Sequence, residues 1–209
     1  MKIDYVVKFK SDFHTGSGAG IPGVIDNGLK FDAEGIPEIS GKTVKGLLRD
    51  AIMSLTHIHN DGRVDEIMKI IFGKEGEDET CFRFNTPTVD SNTRRRIRNN
   101  PRLPCRISSV NTRNAIDRGR LTAKKGALFS VEVAPSFFEY LGSITQIKEF
   151  HSSIKEAVLF YIIGGLRFIT HLGGNRRRGS GLLRFEIKGL DDGVDKKKWE
   201  EIIQEGLPL

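Results

Sequence analysis

The chain has 209 residues, of which 38 % are hydrophobic and 29 % are charged, and its formal net charge is +6. This length can bury a core of its own, and the composition is ordinary for a globular protein. No window reaches the apolar length of a membrane-spanning helix, and the N-terminus lacks the apolar core of a signal peptide, so we expect a cytoplasmic protein without membrane contact.

The two cysteines, Cys81 and Cys105, are too few for a disulfide framework. With His57 and His59 they are the nearest candidates for a zinc site, but the paired C-x-x-C spacing of zinc modules is missing. Small buried cysteines, with packed or solvent-facing histidines, are therefore the favoured interpretation.

The positive charge is concentrated in one part of the chain. Between Arg94 and Lys125 there are eleven basic residues and one acid, Asp117, so this segment carries +10 and the remainder −4. Such a segment is typical of proteins that bind a polyanion, above all nucleic acid. The alternative is a solvated loop whose charge only aids solubility.

The first predicted element is a strand over residues 2–10, because four apolar residues from Ile3 to Phe9 alternate with mostly charged ones. Residues 14–28, the first glycine loop, are too rich in glycine for regular structure. The other predicted elements, in chain order, are a short strand and turn over 31–40, helices over 41–55 and 65–73, a strand over 81–89, an arginine-rich loop over 91–112, a strand over 127–135, a helix over about 144–169, a strand over 181–190 and a short terminal helix over 195–206.

This order of strands and helices predicts an α+β fold, with a ferredoxin-like antiparallel sheet and helices on one of its faces. We expect residues 1–209 to form a single domain. Residues from about 75 to 125 are expected to be a basic insertion into its core.

The helix start near "SGKTVKG" superficially suggests a phosphate loop. Five residues separate Gly35 from Gly41, whereas the nucleotide-binding motif requires four, so a nucleoside triphosphatase is disfavoured. Lys42, Lys45 and Arg49 can still supply positive charge beside a helix N-terminus, which is a site that favours phosphate.

A second unusual stretch is "HLGGNRRRGSGLLRF", residues 171–185, hereafter the glycine-arginine segment. Its glycines would let the backbone approach a nucleic-acid strand, and Arg176, Arg177 and Arg178 would neutralise phosphates. A flexible exposed turn is the alternative. The candidate nucleic-acid-binding residues here are Gly173, Gly174, Arg176, Arg177, Arg178 and Gly179.

Four segments in order resemble the RAMP superfamily of CRISPR-associated RNA-binding proteins. They are "GIPEISGKTVKGLLR" at 35–49, "IFG" at 71–73, "RNAIDRGRLTAKKGALFSVE" at 113–132 and "LGGNRRRGSGLLRF" at 172–185. Within the family the chain is most similar to the repeated backbone subunit of type III effector complexes. The resemblance implies a palm with a basic lid and thumb, and a filament of copies of this chain and other CRISPR-associated subunits along a guide CRISPR RNA. It also implies metal-dependent cleavage of complementary target RNA, with Mg²⁺ as the expected ion.

The resemblance also implies roles for individual residues. Asp26, which follows Val24 and Ile25, matches the family's cleaving aspartate, although the family's "I-D-S-P" is replaced here by "I-D-N-G". His14 matches a position at which the family often carries histidine. Further basic residues are candidates for phosphate contacts, namely Lys42, Lys45, Arg49, Arg113 and Arg118.

Other interpretations stay open at this point. Asp26 could be an ordinary turn aspartate, which is common before Asn-Gly. The chain could then be a non-catalytic backbone or capping subunit of the same complex. It could also be a metal-independent guide-processing endoribonuclease with His14 as general base, or a small anion-binding module.

Overall fold

The computed structural model describes residues 1–58, 62–73, 80–100 and 107–190. The helices are α1 (Gly41–Ile58), α2 (Val64–Phe72), α3 (Ser91–Arg98) and α4 (Lys155–Phe168), with single 3₁₀ turns at Ser152–Ile154 and Arg176–Arg178. The strands are β1 (Lys2–Phe9), β2 (Phe82–Phe84), β3 (Thr88–Val89), β4 (Ser109–Arg113), β5 (Ile116–Asp117), β6 (Thr122–Ala123), β7 (Phe129–Val133), β8 (Glu139–Gln146) and β9 (Leu183–Leu190).

The main sheet is antiparallel and has the spatial order β2-β8-β1-β9, with β3 also paired to β8. The central strand β1 has a neighbour on each side, so Val7 lies opposite Tyr140 of β8 and Phe185 of β9. Strand β1 begins and ends within one residue of the predicted strand over 2–10, which confirms that prediction.

The two faces of the main sheet differ in chemistry. Ile3, Tyr5 and Val7 are buried in one apolar cluster with residues of α1, α2 and α4. On the opposite face the ammonium group of Lys8 lies 3.2 Å from a carboxylate oxygen of Glu139 and 3.1 Å from one of Glu186. The predicted α+β class, with helices packed against one face of an antiparallel sheet, is confirmed.

Helix α1 starts where the sequence provides a cap. The hydroxyl oxygen of Ser40 accepts a hydrogen bond from the Thr43 amide at 3.1 Å, which satisfies one of the first free N–H groups of the helix. The apolar residues of α1 then recur at helical spacing, and Leu48 and Ile52 are fully buried. They meet α4 at Gly165, where a β-carbon would lie only 2.6 Å from the Leu48 side chain.

Residues 109–133 form two small sheets outside the main one. Strand β4 pairs with β7, and β5 pairs with β6. Large apolar side chains are exposed in this region, with Leu121 83 % and Leu128 68 % accessible. Strands β2 and β3, which fall within the predicted insertion of about 75–125, pair with β8 in the main sheet instead. The boundaries of the insertion stay a prediction.

The prediction of an irregular loop over 91–112 is wrong at both ends, because α3 forms over Ser91–Arg98 and strand β4 begins at Ser109. The carboxylate of Asp90 caps this helix by accepting hydrogen bonds from the Asn92 and Thr93 amides at 2.9 and 3.0 Å. Arg94 then reaches back to the turn that precedes α1, where it lies 2.8 Å from Asp32 and 3.2 Å from Glu34.

The predicted helix over about 144–169 is wrong at its N-terminal end. Residues 139–146 form strand β8, and the α-helix begins only at Lys155. Strand β8 pairs with β1 on one side and with β2 and β3 on the other, so sheet hydrogen bonding outweighs the local apolar pattern.

Some predictions fall outside the described residues. They are the terminal helix over 195–206 and the zinc candidates His59 and Cys105. Within the ranges described above, no group of three or more His, Cys, Asp or Glu residues could hold a metal ion. No helix in those ranges is long and apolar enough to cross a membrane.

A first prediction concerns Gly142, which lies directly opposite Tyr5 in the sheet. A β-carbon at residue 142 would overlap the buried Tyr5 ring, so Gly142→Ala should lower the free energy of unfolding by about 1–3 kcal/mol. Gly46→Ala is the control, because Gly46 lies in α1 with open space around its α-carbon, and there alanine should add about 1 kcal/mol. Urea denaturation followed by circular dichroism measures both, and equal stability of the two variants would contradict the packing described here.

A second prediction concerns the attachment of α3. Hydrogen bonds from Arg98 and then Arg94 hold the pKa of the Glu34 carboxyl below its ordinary value. The ion pairs of the Glu34 carboxylate stabilise the folded chain fully at a pH above the ordinary pKa of glutamate. This stabilisation is lost as the pH falls through the lowered pKa of Glu34. Glu34→Gln should therefore speed amide hydrogen exchange over Ser91–Arg98 at pH 7, and acidified wild type should approach the variant after correction for intrinsic rates.

The control for this experiment is Glu38→Gln. Glu38 pairs with Lys30 at 2.7 Å and not with α3, so exchange over α3 should stay as in the wild type. Unchanged exchange in Glu34→Gln would mean that these ion pairs do not hold the helix.

Candidate nucleic-acid interface

The end of the first glycine loop lies along strand β7. Asn27 forms a parallel bridge with Val131, and its carbonyl oxygen accepts a hydrogen bond from the Glu132 amide at 2.9 Å. The Asp26 amide donates to the Ser130 carbonyl at 3.1 Å. The backbone of Asp26 and Asn27 is therefore bridged to β7 as in a sheet, although Asp26 and Ser130 lie 104 positions apart.

The Asp26 carboxylate is exposed and held at one oxygen. Its Oδ2 accepts a hydrogen bond from the Ser130 amide at 2.7 Å, and the Ser130 hydroxyl lies 3.2 Å away. The other oxygen, Oδ1, accepts no hydrogen bond from the part of the chain that the structure describes. This arrangement fixes the direction of the carboxylate and leaves one oxygen open to solvent.

His14 is a packed residue, with only 9 % of its surface exposed. Its Nδ1 lies 2.7 Å from the Glu132 carbonyl oxygen, which can only accept, so Nδ1 carries a proton and donates it there. A β-carbon on Gly16 would lie 3.2 Å from Nε2, and one on Gly174 3.3 Å from the ring carbon Cδ2. Small neighbours thus make room for the imidazole.

The glycine-arginine segment meets His14 directly. The Gly174 amide donates to the His14 carbonyl oxygen at 3.0 Å. Gly173 adopts a φ of +93°, and a β-carbon there would collide with that same oxygen. The structure therefore brings three of the predicted residues, His14, Gly173 and Gly174, into one contact. Gly179 differs, since its surroundings are open and its positive φ of 79° only serves the turn.

The three arginines of this segment form one exposed 3₁₀ turn. Arg176 donates from Nε to the Gly173 carbonyl at 3.0 Å, which ties its side chain to the loop. The side chains of Arg177 and Arg178 make no hydrogen bond or ion pair with any residue that the structure describes. The turn therefore presents uncompensated positive charge to solvent.

A groove of about 380 Å³ lies between this turn and α1, lined by Arg176, Arg177 and Asp50 among others. Lys42, Lys45 and Arg49 are not part of its lining. At 100° per residue they lie on the side of α1 away from Asp50 and Ala51, so the structure does not bring these three cations together with the arginine turn. They are unpaired within the described ranges and form a separate basic strip.

Arg113 and Arg118 lie in the region outside the main sheet. Arg113 closes the β4–β7 pair opposite Phe129, is half-buried, and keeps one guanidinium nitrogen buried without a hydrogen-bond partner among the described residues. Arg118 is exposed in the turn after β5. The Asp117 carboxylate accepts a hydrogen bond from the Gly119 amide in that turn at 2.9 Å, so its role in the described structure is to stabilise the backbone of the turn.

Sequence reasoning missed two residues of β7 that organise the site. Ser130 contacts Asp26, and the 4 % exposed Glu132 accepts the Leu29 amide at 2.9 Å and the Ser108 hydroxyl. The alternation in "ALFSVEVAP" puts Ser130 and Glu132 on one face of the strand predicted over 127–135. A glutamate in a half-buried strand needs hydrogen-bond partners, and this is the sequence signal that points to a role for Glu132.

Part of the arginine-rich charge is also used internally. Arg94 pairs with Asp32 and Glu34, and Arg98 pairs with Glu34. These two guanidinium groups hold α3 against the turn at residues 32–35. The positive charge of the segment available to a ligand is therefore smaller than its composition implies.

Comparison with known proteins places this geometry in a family. The family model of the RAMP superfamily matches residues 6–184. Two solved structures of type III-B Cmr-beta are similar to this chain, one in the apo state with a TM-score of 0.67 and one bound to cognate target RNA with a TM-score of 0.66. Each is 15 % identical in sequence, and the match covers 90 % of this chain and 97 % of the other. A structure titled as a type IV-B CRISPR complex matches with a TM-score of 0.59 at 13 % identity, over 94 % of this chain and 95 % of the other.

A comparison with curated protein sequences gives no match. At these identities the structural neighbours show a shared fold, whereas the family model covers most of the chain. The resemblance recognised in the four sequence segments is thereby confirmed, and the chain belongs to the RAMP superfamily.

Proposed function

We propose that this chain is a guide-RNA-binding backbone subunit of a type III RNA-guided complex, and that it cleaves bound target RNA through Asp26. The observation that carries the proposal is the exposed Asp26 carboxylate, held at one oxygen by β7, in a chain of the RAMP superfamily. Two of the similar structures are of type III-B Cmr-beta, one of them bound to cognate target RNA, and the third is of a type IV-B CRISPR complex. The expected partners are guide RNA, target RNA, copies of this chain and other CRISPR-associated subunits.

The sheet topology supports the ferredoxin-like interpretation of the core. If β2 and β3 count as one broken strand, the connections run strand, helices, strand, strand, helix, strand. The spatial order β9-β1-β8-β2 is then that of the fourth, first, third and second strands, the order of a ferredoxin-like sheet. The region over residues 109–133 would be the basic elaboration of this core.

The exposed arginine turn supports RNA binding. Arg176, Arg177 and Arg178 repel one another in the free protein, and phosphates would relieve that repulsion. Phosphate contacts position a strand without reading its sequence. This suits a guide-dependent subunit, because base pairing between guide and target then selects the sequence.

The chemistry at Asp26 is that of a single carboxylate beside a phosphodiester. Its open oxygen can orient the 2′-hydroxyl of the target and accept its proton as the 2′-oxygen attacks the neighbouring phosphorus. The bond from that phosphorus to the 5′-oxygen of the next nucleotide then breaks, and the departing 5′-oxygen takes a proton from water, which leaves a 2′,3′-cyclic phosphate and a 5′-hydroxyl. A divalent ion fits the site, because Mg²⁺ keeps several waters and binds phosphate oxygens, so that Asp26 alone could supply the protein ligand. When bound, Mg²⁺ would stabilise negative charge on the scissile phosphate.

The burial of His14 argues against the alternative of a guide-processing enzyme with His14 as general base. A base must reach the proton that it removes, and the His14 ring is packed against Gly16 and Gly174. Its position favours support of the two loops that would contact RNA. A non-catalytic backbone or capping subunit remains the second candidate, because it requires only the arginine turn.

Asp26→Asn tests cleavage with almost no change in shape. In the complex assembled with guide RNA and Mg²⁺, we expect the rate of target-RNA cleavage to fall by about 100-fold or more, because the amide cannot accept the proton. Guide binding should stay within twofold, since Asp26 is not part of the arginine turn. Cleavage by chelator-treated wild type, measured on the same gel, should be equally slow.

Cuts at the wild-type rate and spacing in Asp26→Asn would assign the chain to the non-catalytic class. Persistent cleavage of a guide precursor in excess chelator would instead favour the processing enzyme.

The arginine turn is tested by replacing Arg176, Arg177 and Arg178 with Ala together. We expect weaker binding of single-stranded guide RNA and a shallower salt dependence, by about 2 units in the slope of log K against log salt if three phosphates are neutralised. A nitrocellulose filter assay over a series of salt concentrations measures both quantities.

A charge-matched control replaces Lys2, Lys69 and Lys188 with Ala, which removes three positive charges outside the glycine-arginine segment. It should leave the salt slope nearly unchanged. Equal slopes for the two triple variants would mean that only net charge matters and that the arginine turn has no specific role.

A further inference from the structure

We propose that Ser130 is the positioning residue of Asp26, and that its hydroxyl group sets the cleavage rate without contributing to RNA affinity. This inference rests on the proposed function of Asp26. It concerns a residue of β7 that lies within the family segment at 113–132 but to which the resemblance gives no role.

Ser130 contacts the Asp26 region through both of its polar hydrogens. Its amide donates to Oδ2 of the Asp26 carboxylate at 2.7 Å, within the range of a strong charge-assisted hydrogen bond. Its hydroxyl lies 2.9 Å from the Val24 carbonyl oxygen and 3.2 Å from Oδ2. A hydroxyl has one proton to donate, and the shorter distance favours Val24 as its acceptor.

The two contacts divide the task of positioning. The amide fixes one carboxylate oxygen, and the hydroxyl fixes the backbone two residues earlier, so that together they define the direction in which Oδ1 points. Val24 and Asp26 are exposed residues of a glycine-rich loop, and without these two contacts the direction of the carboxylate would be less well fixed. Reactive groups need a fixed direction as well as proximity, and a loop alone provides this poorly.

A second anchor on the same face of β7 completes the arrangement. Glu132 lies two residues after Ser130, so both side chains point to the same side of the strand. Its carboxylate accepts the Leu29 amide at 2.9 Å, at the far end of the segment. Residues 24–29 are therefore held at both ends, which supplies the stiffness that the proline of the family's "I-D-S-P" would have given.

The test compares Ser130→Ala, which loses the hydroxyl and keeps the amide, with Ser130→Thr, which keeps both. Thr112→Ala is the matched control, since Thr112 lies directly opposite Ser130 on β4 and its hydroxyl makes no hydrogen bond within the described residues. In the assembled complex, Ser130→Ala should lower the cleavage rate at saturating target RNA by about fivefold or more. Guide affinity and melting temperature should stay at wild-type values, and Ser130→Thr and Thr112→Ala should cleave as the wild type does.

A second readout uses the full chain without RNA. Amide exchange over residues 24–29 should be faster in Ser130→Ala than in the wild type, and unchanged in Ser130→Thr and Thr112→Ala. If the wild-type complex does not cleave target RNA, the proposed function fails, and this exchange measurement still decides whether Ser130 positions the loop.

Two results would overturn the inference. One is unchanged exchange over residues 24–29 together with a wild-type cleavage rate in Ser130→Ala. The other is a loss of rate that is matched by equal losses of guide affinity and melting temperature, because Ser130 would then serve only the stability of the chain.

Discussion

The interface depends on one buried contact, the hydrogen bond between the His14 ring and the Glu132 carbonyl oxygen at 2.7 Å. His14 begins the first glycine loop, Glu132 lies on β7, and the His14 backbone accepts the Gly174 amide from the glycine-arginine segment. Three segments that are far apart in sequence are thus joined within a few ångströms. Because the ring is buried, each of these hydrogen bonds would be costly to lose, and the loops are held as one unit.

This junction explains how a glycine-rich surface can keep a defined shape. Neither loop contains an α-helix, and the glycine-arginine segment has only one 3₁₀ turn before β9 begins, so the entropy cost of ordering the two loops is high. The first loop is ordered by β7 on one side and by His14 at its start, and the second by His14 and the start of β9. The proposed cleaving residue and the proposed RNA grip therefore share a support, although each has its own contact with RNA in the proposal.

Local patterns in the sequence predicted those parts of the fold that local forces determine. The alternation around Ile3 and Tyr5 predicted β1, and the helical spacing after Ser40 predicted α1 with its start at Gly41. Strand β8 was missed because its partners β1 and β2 are remote, so the decisive hydrogen bonds are invisible in a window of its own residues. Helix α3 was missed because its support comes from Asp32 and Glu34, about sixty positions earlier.

The same limit applies to the site. Asp26 and the arginines could be found because the family pattern or their charge marks them. Ser130 also lies in a family segment, but its contact with Asp26 joins residues 104 positions apart and is invisible in the sequence. The basic composition of the segment from 94 to 125 predicts an anion-binding surface, but it overstates the charge that such a surface could offer. Arg94 and Arg98 form ion pairs with acidic residues of the same chain. A count of basic residues in the sequence cannot distinguish such arginines from those that face solvent.

The positive φ of Gly173 changes how conservation in this segment should be understood. A side chain at 173 would collide with the His14 carbonyl, whether or not RNA is bound. Selection for glycine at this position therefore acts on the joint between two loops, and it would persist in a relative that had lost all affinity for RNA. Gly179, which borders open space, is under no such packing constraint. Within one short motif, then, Gly173 serves the internal fit of two loops, whereas the side chains of Arg177 and Arg178 face solvent.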